Sequence, residues 1–137
     1  TYIGHLMDQN QRFCEMNGVM VCTSNCRELR SARIATTSPL ALSASGVAGF
    51  SQLAARAAVT TFGGDCYNYA LLAAGHIDLV MEDSLAPHDI LAVVAVMQAA
   101  GATVTDIAGQ PILNGQSTSI LAAASSALHD AALAVLA

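Results

Sequence analysis

Between Ile77 and Gly101 the chain passes without a break from an apolar run of strand length, Ile77 to Met81, through a short acidic loop into a long apolar helix. A strand that feeds a helix so directly calls for a sheet with helices packed on its faces. The same alternation recurs on either side. Tyr2 to Met7 reads as a strand, and Arg12 to Cys14 and Val19 to Thr23 flank Asn17-Gly18, a dipeptide suited to tight hairpin turns. A helical turn is expected near Arg27 to Arg30, then a strand from Ala32 to Thr36. The Ser/Gly-rich stretch Ser43 to Gly49 leads into a helix carried by Phe50, Leu53, Ala54 and Ala57. Val59 to Phe62 reads as a strand, and Gly63-Gly64-Asp65 opens a helix across Tyr69 to Ala74 that stops at Gly75. Beyond the helix Asp89 to Ala100, strands are expected at Thr103 to Asp106 and Ser119 to Ala123, and a last helix at Leu128 to Leu136. The fold class is α/β.

The acidic loop is the chemical centre of this pattern. Glu82 ends the apolar strand, and Asp89, seven residues on, starts the helix. A carboxylate at a helix N-terminus meets free backbone N–H groups and the positive end of the dipole, which favour its charged form. Such a fixed carboxylate suits a hard divalent cation such as magnesium, whose shell is filled by water and phosphate oxygens. The same position is also where a plain helix cap would stand, and spacing does not separate the two readings.

Charge narrows the partners. The chain has no lysine, and its five cations are Arg12, Arg27, Arg30, Arg33 and Arg56, so every formal charge after Ala57 is negative. That surface repels nucleic acid and anionic membranes. A phosphate bound in the second half therefore needs neutralising by something other than a side-chain cation, and a carboxylate-held metal is one answer. No apolar run is long enough to span a bilayer: Leu91 to Ala100 is too short and contains Gln98. Hydrophobic residues make up 54% and charged residues 11%, too little polar surface for a chain that exposes all its faces, so another chain or segment is expected to cover one. Cys22 and Cys26 lack a second close pair to complete a zinc site, so Cys14, Cys22, Cys26 and Cys66 read as reduced thiols of a cytoplasmic protein.

The series Gly64-Asp65-Cys66-Tyr67-x-Tyr69-Ala70-Leu71-Leu72-Ala73-Ala74-Gly75-x-Ile77-Asp78-Leu79-Val80, followed by Pro87-x-Asp89 and Gly101-Ala102-x-Val104-Thr105-Asp106, resembles the inositol monophosphatase superfamily. Its Gly-Asp-Cys-Tyr portion most resembles the histidinol-phosphate phosphatase branch. Asp8-Gln9, Asn17-Gly18, Thr23-Ser24-x-Cys26, Ala35-Thr36-Thr37-Ser38-Pro39 and Leu121-Ala122-Ala123 extend the match along the chain. The resemblance implies that residues 1–137 are the C-terminal part of the inositol monophosphatase/fructose-bisphosphatase-like layered fold, a mixed sheet flanked by helices. It implies a magnesium-dependent phosphomonoesterase in which metal ions activate a water that attacks a small phosphate monoester. Asp89 falls on the family's late metal-binding aspartate. Glu82 falls on the acidic position that meets the leaving-group alcohol, and His88, beside Asp89, is counted with the substrate-binding residues. Asp65 stands where inositol phosphatases carry a small residue, so it either pairs with the amine of an aminoalcohol such as histidinol or caps the following helix.

The departures are specific. His88 replaces an aromatic residue, Ala86 a basic one, Gln98 an acidic one and Ile107 a tryptophan, and the hairpin from Arg12 to Cys22 is short for the family. The Asp-Pro-x-Asp-Gly-Thr metal motif and the upstream Glu-bearing helix do not occur in this sequence. Three functions follow as expectations: a histidinol-phosphate-like phosphatase that needs an N-terminal metal-binding half or a second copy to act, a non-catalytic binding or assembly module, and an inositol-phosphate phosphatase relative.

Overall fold

The computed structural model describes residues 2–6, 12–112 and 117–137. Two sheets organise it. The smaller is an antiparallel meander of β1 (Tyr2–Leu6), β2 (Arg12–Met16) and β3 (Val19–Val21). Asn17 and Gly18 join β2 to β3 with φ values of 52° and 82°, the left-handed pair that a two-residue hairpin with native twist requires. This tight turn lets β2 run to Met16, two residues beyond the expected Cys14, and β3 ends earlier than expected, at Val21. The matching residues Asp8 and Gln9 lie outside the described segments.

The larger sheet has the order β5-β4-β6-β8-β7, built from β4 (Arg33–Thr36), β5 (Val59–Phe62), β6 (Leu79–Glu82), β7 (Thr103–Thr105) and β8 (Ile120–Ala123). β5, β4 and β6 are parallel, while β8 runs antiparallel to both β6 and β7, so the sheet is mixed as expected. β6 and β8 are buried on both faces, which is why they read as unbroken apolar runs rather than alternating ones.

Four helices cover the faces: α1 (Ala44–Ala54), α2 (Tyr67–Ala73), α3 (Pro87–Ala99) and α4 (Ser126–Leu136). Leu79 and Met81 of β6 pack with Phe50 and Leu53 of α1 and Leu128 of α4. Val80, between them, packs on the opposite face with Tyr69 and Leu72 of α2 and Ile90 and Met97 of α3. The two-residue strand period therefore sends Glu82 to the side of Val80, toward α2. β1 and β2 lie against α3.

Several boundaries differ from the sequence expectation for local reasons. α1 starts at Ala44, inside the Ser/Gly-rich stretch, because the Ser43 hydroxyl accepts the Gly46 N–H and caps it. It ends at Ala54 and leaves Ala57 outside. The turn expected near Arg27 is a 3₁₀ turn at Leu29–Ser31. α2 begins two residues before Tyr69, and α3 begins at Pro87, whose missing N–H and fixed φ suit the first helical position. α4 begins at Ser126, capped by Ser125. β6 runs from Leu79, although the Asp78 N–H already donates to the Arg33 carbonyl and the Asp78 carbonyl accepts the Ala124 N–H; Ile77 before it turns its N–H to the Leu71 carbonyl.

Candidate active site

Three parallel strands point their C-terminal ends at one edge of the sheet, the usual place for a ligand in an open α/β sheet. β4 ends in Thr36 and continues into Thr37 and Ser38. β5 leads through Gly63-Gly64 to Asp65, and β6 ends in Glu82 and Asp83. Thr36, Thr37, Ser38, Asp65, Glu82 and Asp83, with Ala41, Leu42 and Leu85, line a pocket of about 110 Å³. The Gly63 N–H donates to the Thr37 carbonyl at 2.8 Å, tying the loops after β5 and β4 together.

Glu82 is buried and its carboxylate is held from both sides. Its Oε1 accepts the Thr37 N–H at 2.8 Å and the Thr37 hydroxyl, and its Oε2 accepts the Tyr69 hydroxyl. Burial foremost, then the Glu82 charge, push the Tyr69 phenol far above its ordinary range, so at neutral pH it is a fixed donor. Asp65 and Asp89 add to that shift through their charge, but only Glu82 and Asp65 of the three predicted carboxylates line the pocket.

Asp65 sits in the left-handed conformation at φ 47°, after Gly63 at 84° and Gly64 at 95°. A side chain on Gly64 would put its Cβ 2.5 Å from Asn68 Oδ1, whose amide holds the Gly63 carbonyl, so this turn needs glycine there. The cap reading of Asp65 does not hold. The N-cap position of α2 is Cys66, no side chain caps it, and the Asp65 carboxylate takes no hydrogen bond among the described residues. Its carboxylate is left exposed at the pocket.

Asp89 is the third residue of α3, not its N-cap. One oxygen accepts the Ala86 N–H at 3.2 Å, and the other lies 3.6 Å from His88 Nε2. The side chains of His88 and Asp89 are 84% and 53% exposed, so both remain open to solvent at the start of α3. Among the described residues no three His, Cys, Asp or Glu side chains converge as ligands for one metal ion.

Sequence reasoning passed over Thr36, Thr37, Tyr69 and Asp83. Asp83 is buried, accepts the Ser43 N–H at 2.9 Å and the Ser43 hydroxyl, and fastens α1 to the end of β6. The Thr36 hydroxyl is fully buried at the pocket and has no hydrogen-bond partner among the described residues. Thr36, Thr37 and Tyr69 fall within the matched series, but what marks a role is position: Thr36, Thr37 and Asp83 lie at or just beyond the end of a strand, and Tyr69 in the first turn of α2.

The pattern of one known family runs through this geometry. The inositol monophosphatase family matches residues 5–137. The chain belongs to the inositol monophosphatase family. The bifunctional phosphatase IMPL2, chloroplastic, of Arabidopsis thaliana is 39% identical over 131 residues, which is 90% of this chain and 38% of that protein. A solved inositol monophosphatase from Zymomonas mobilis is 35% identical and superposes with a TM-score of 0.86 over 90% of this chain and 49% of its own. An inositol monophosphatase from Anabaena (Nostoc) shares the fold, with a TM-score of 0.78 at 23% identity, 90% of this chain and 50% of its own. The chain thus spans half or less of the length of these family members. Among the described residues no helix is long and apolar enough to cross a membrane.

Proposed function

We propose that this chain is the alcohol-recognising, C-terminal part of a magnesium-dependent phosphomonoesterase acting on histidinol phosphate. The observation that carries the substrate is the contrast among the pocket's carboxylates. Glu82 and Asp83 are both occupied by hydrogen-bond donors, whereas Asp65 is exposed and takes none among the described residues. An unengaged carboxylate next to an alcohol-binding one fits a leaving group that carries both an amine and a hydroxyl.

Asp89 fits magnesium as one ligand of several, because its carboxylate is half exposed and this ion keeps water and phosphate oxygens in its shell. When bound, the metal supplies water activation and charge stabilisation at the phosphoryl oxygens. Once the ester bond is broken, Glu82 accepts a hydrogen bond from the hydroxyl of the released alcohol, while Thr37 and Tyr69 hold its carboxylate still. Asp65 pairs with the substrate amine, and His88 stands beside Asp89 at the open side of the site. The remaining metal ligands come from an N-terminal half outside this sequence. The cytoplasm is the proposed compartment, in keeping with four free thiols; the plant relative's name places that protein in the chloroplast.

A second reading, an assembly module that binds a partner or another copy, draws on the apolar residues left at the surface. Val19 and Met20 of β3 are 63% and 62% exposed, and Val59 and Phe62 of the edge strand β5 are also exposed. The test is phosphate release from histidinol phosphate and from inositol monophosphate, with and without magnesium, by a protein extended upstream to the family's full length. Asp65→Ala should cut turnover of the amine-bearing ester well below that of the neutral one. Equal loss on both removes the histidinol assignment. No magnesium-dependent release from either ester favours the assembly module.

A further inference from the structure

We infer that Tyr69 is a positioning residue that fixes the Glu82 carboxylate so that it offers one acceptor site to the hydroxyl of the released alcohol. The inference rests on the reading of Glu82 as the residue that meets that alcohol. An ionised carboxylate has about four acceptor sites. The Thr37 N–H and hydroxyl fill those on Oε1, and the Tyr69 hydroxyl fills one on Oε2, so the described residues leave one on Oε2.

The donors on Glu82 are all neutral. The arginines that pair with carboxylates among the described residues, Arg30 and Arg33, engage Glu28 and Asp78 instead. A cation would hold Glu82 by charge from many directions, whereas a hydroxyl holds it along one line. The direction of the free lone pair is therefore set by where Tyr69 stands.

Tyr69 is itself immobile. It is 4% exposed, its ring packs in the core with Leu72 and Val80, and one side of it forms the wall of an apolar groove with Ala70, Val93 and Val96. Phe at this position would keep that packing and lose only the hydroxyl. Glu82 would then keep its Thr37 bonds but become free to turn about them, and the alcohol hydroxyl would have to supply the lost order itself.

Calorimetric titration of the protein extended upstream to the family's full length with L-histidinol and with histamine reads this directly, because histamine has the same imidazole and amine but lacks the hydroxymethyl group. A hydrogen bond to a charged acceptor predicts about a tenfold preference of the wild-type chain for histidinol. Tyr69→Phe should reduce that preference to about twofold or less, with histamine affinity unchanged and the near-UV circular dichroism of a folded chain. Thr37→Val, which removes the hydroxyl donor on the other oxygen, should lower the preference in the same direction, and Glu82→Gln should abolish it. A preference kept in both Tyr69→Phe and Thr37→Val but lost in Glu82→Gln overturns the positioning role and leaves Glu82 as the alcohol ligand. No preference in the wild-type chain, or one that survives Glu82→Gln, overturns the Glu82 reading and the inference with it.

Discussion

Asp83 and Ser43 join the end of β6 to the start of α1, the carboxylate accepting both the N–H and the hydroxyl of the serine. The same hydroxyl accepts the Gly46 N–H, so one contact both caps the helix and seats it over the pocket. Gly46 passes so close that a Cβ there would lie 2.3 Å from Asp83 Oδ2. Gly46→Ala should destabilise the fold by about 1–3 kcal/mol, because the buried carboxylate must shift and lose its donors, despite alanine's better helix propensity. Urea denaturation measures it, and a stability equal to or above wild type would show that the contact yields freely.

Asp78 anchors the base of the same strand. It accepts two bonds from the Arg33 guanidinium and one from the Arg33 N–H, each at 2.8 Å, and another from the Ser24 hydroxyl. Burial works against its charge, but Arg33 and Ser24 outweigh it and hold the carboxyl below its ordinary 3.8. Asp78→Ala should cost about 2–3 kcal/mol, less than a fully buried pair, since the Arg33 side chain is 42% exposed. A carboxyl with a depressed folded value stabilises above its unfolded value and loses that contribution as pH falls through the folded one. Wild-type stability should therefore drop on acidification below about pH 4, and the Asp78→Ala variant should lose less over the same range.

His129 titrates in a different window. Its ring is buried in α4, with Nε2 2.8 Å from the Thr105 hydroxyl; that hydroxyl donates to the Asp106 carbonyl, so Nε2 carries the proton. Burial lowers its affinity for a second proton, and Asp130, 3.9 Å from Nδ1, offsets this only in part. Below the unfolded value of 6.5 the unfolded chain takes up a proton that the folded chain resists. Stability should fall as pH drops from about 7 toward 5, and His129→Gln should flatten that slope. Melting temperatures across this range decide it; a slope unchanged in the variant would place the titration elsewhere.

The layer architecture could be read from the chain because strand and helix periods are clean where packing is simple. β5 was found to the residue, and β4, β6, β7 and β8 to within two at each end. The start of α1 was hidden because serine and glycine are weak helix formers, and what holds them is Asp83, 40 residues away in sequence. The site was read unevenly for the same reason. Glu82, Asp65 and Asp89 carry charge at element ends and announce themselves. Tyr69 and Thr37 matter through where their hydroxyls point, and nothing in a one-dimensional pattern separates Tyr69 from an ordinary core aromatic.

The 137-residue chain alone should release no phosphate from histidinol phosphate above background in millimolar magnesium. Among the described residues it presents no cluster of metal ligands, and Asp89 by itself holds magnesium weakly. A colorimetric phosphate assay of the purified chain checks this, and turnover that vanishes in Asp89→Asn would mean that this part suffices.

The metal-binding charge proposed for Asp89 is tested by the rate of magnesium-dependent phosphate release from histidinol phosphate by the upstream-extended protein, wild type against Asp89→Asn. A loss of at least about 100-fold is expected with the fold and melting temperature nearly unchanged, since the exposed Asp89 makes one weak backbone contact. A variant that retains most of the wild-type rate at the same magnesium concentration would contradict it.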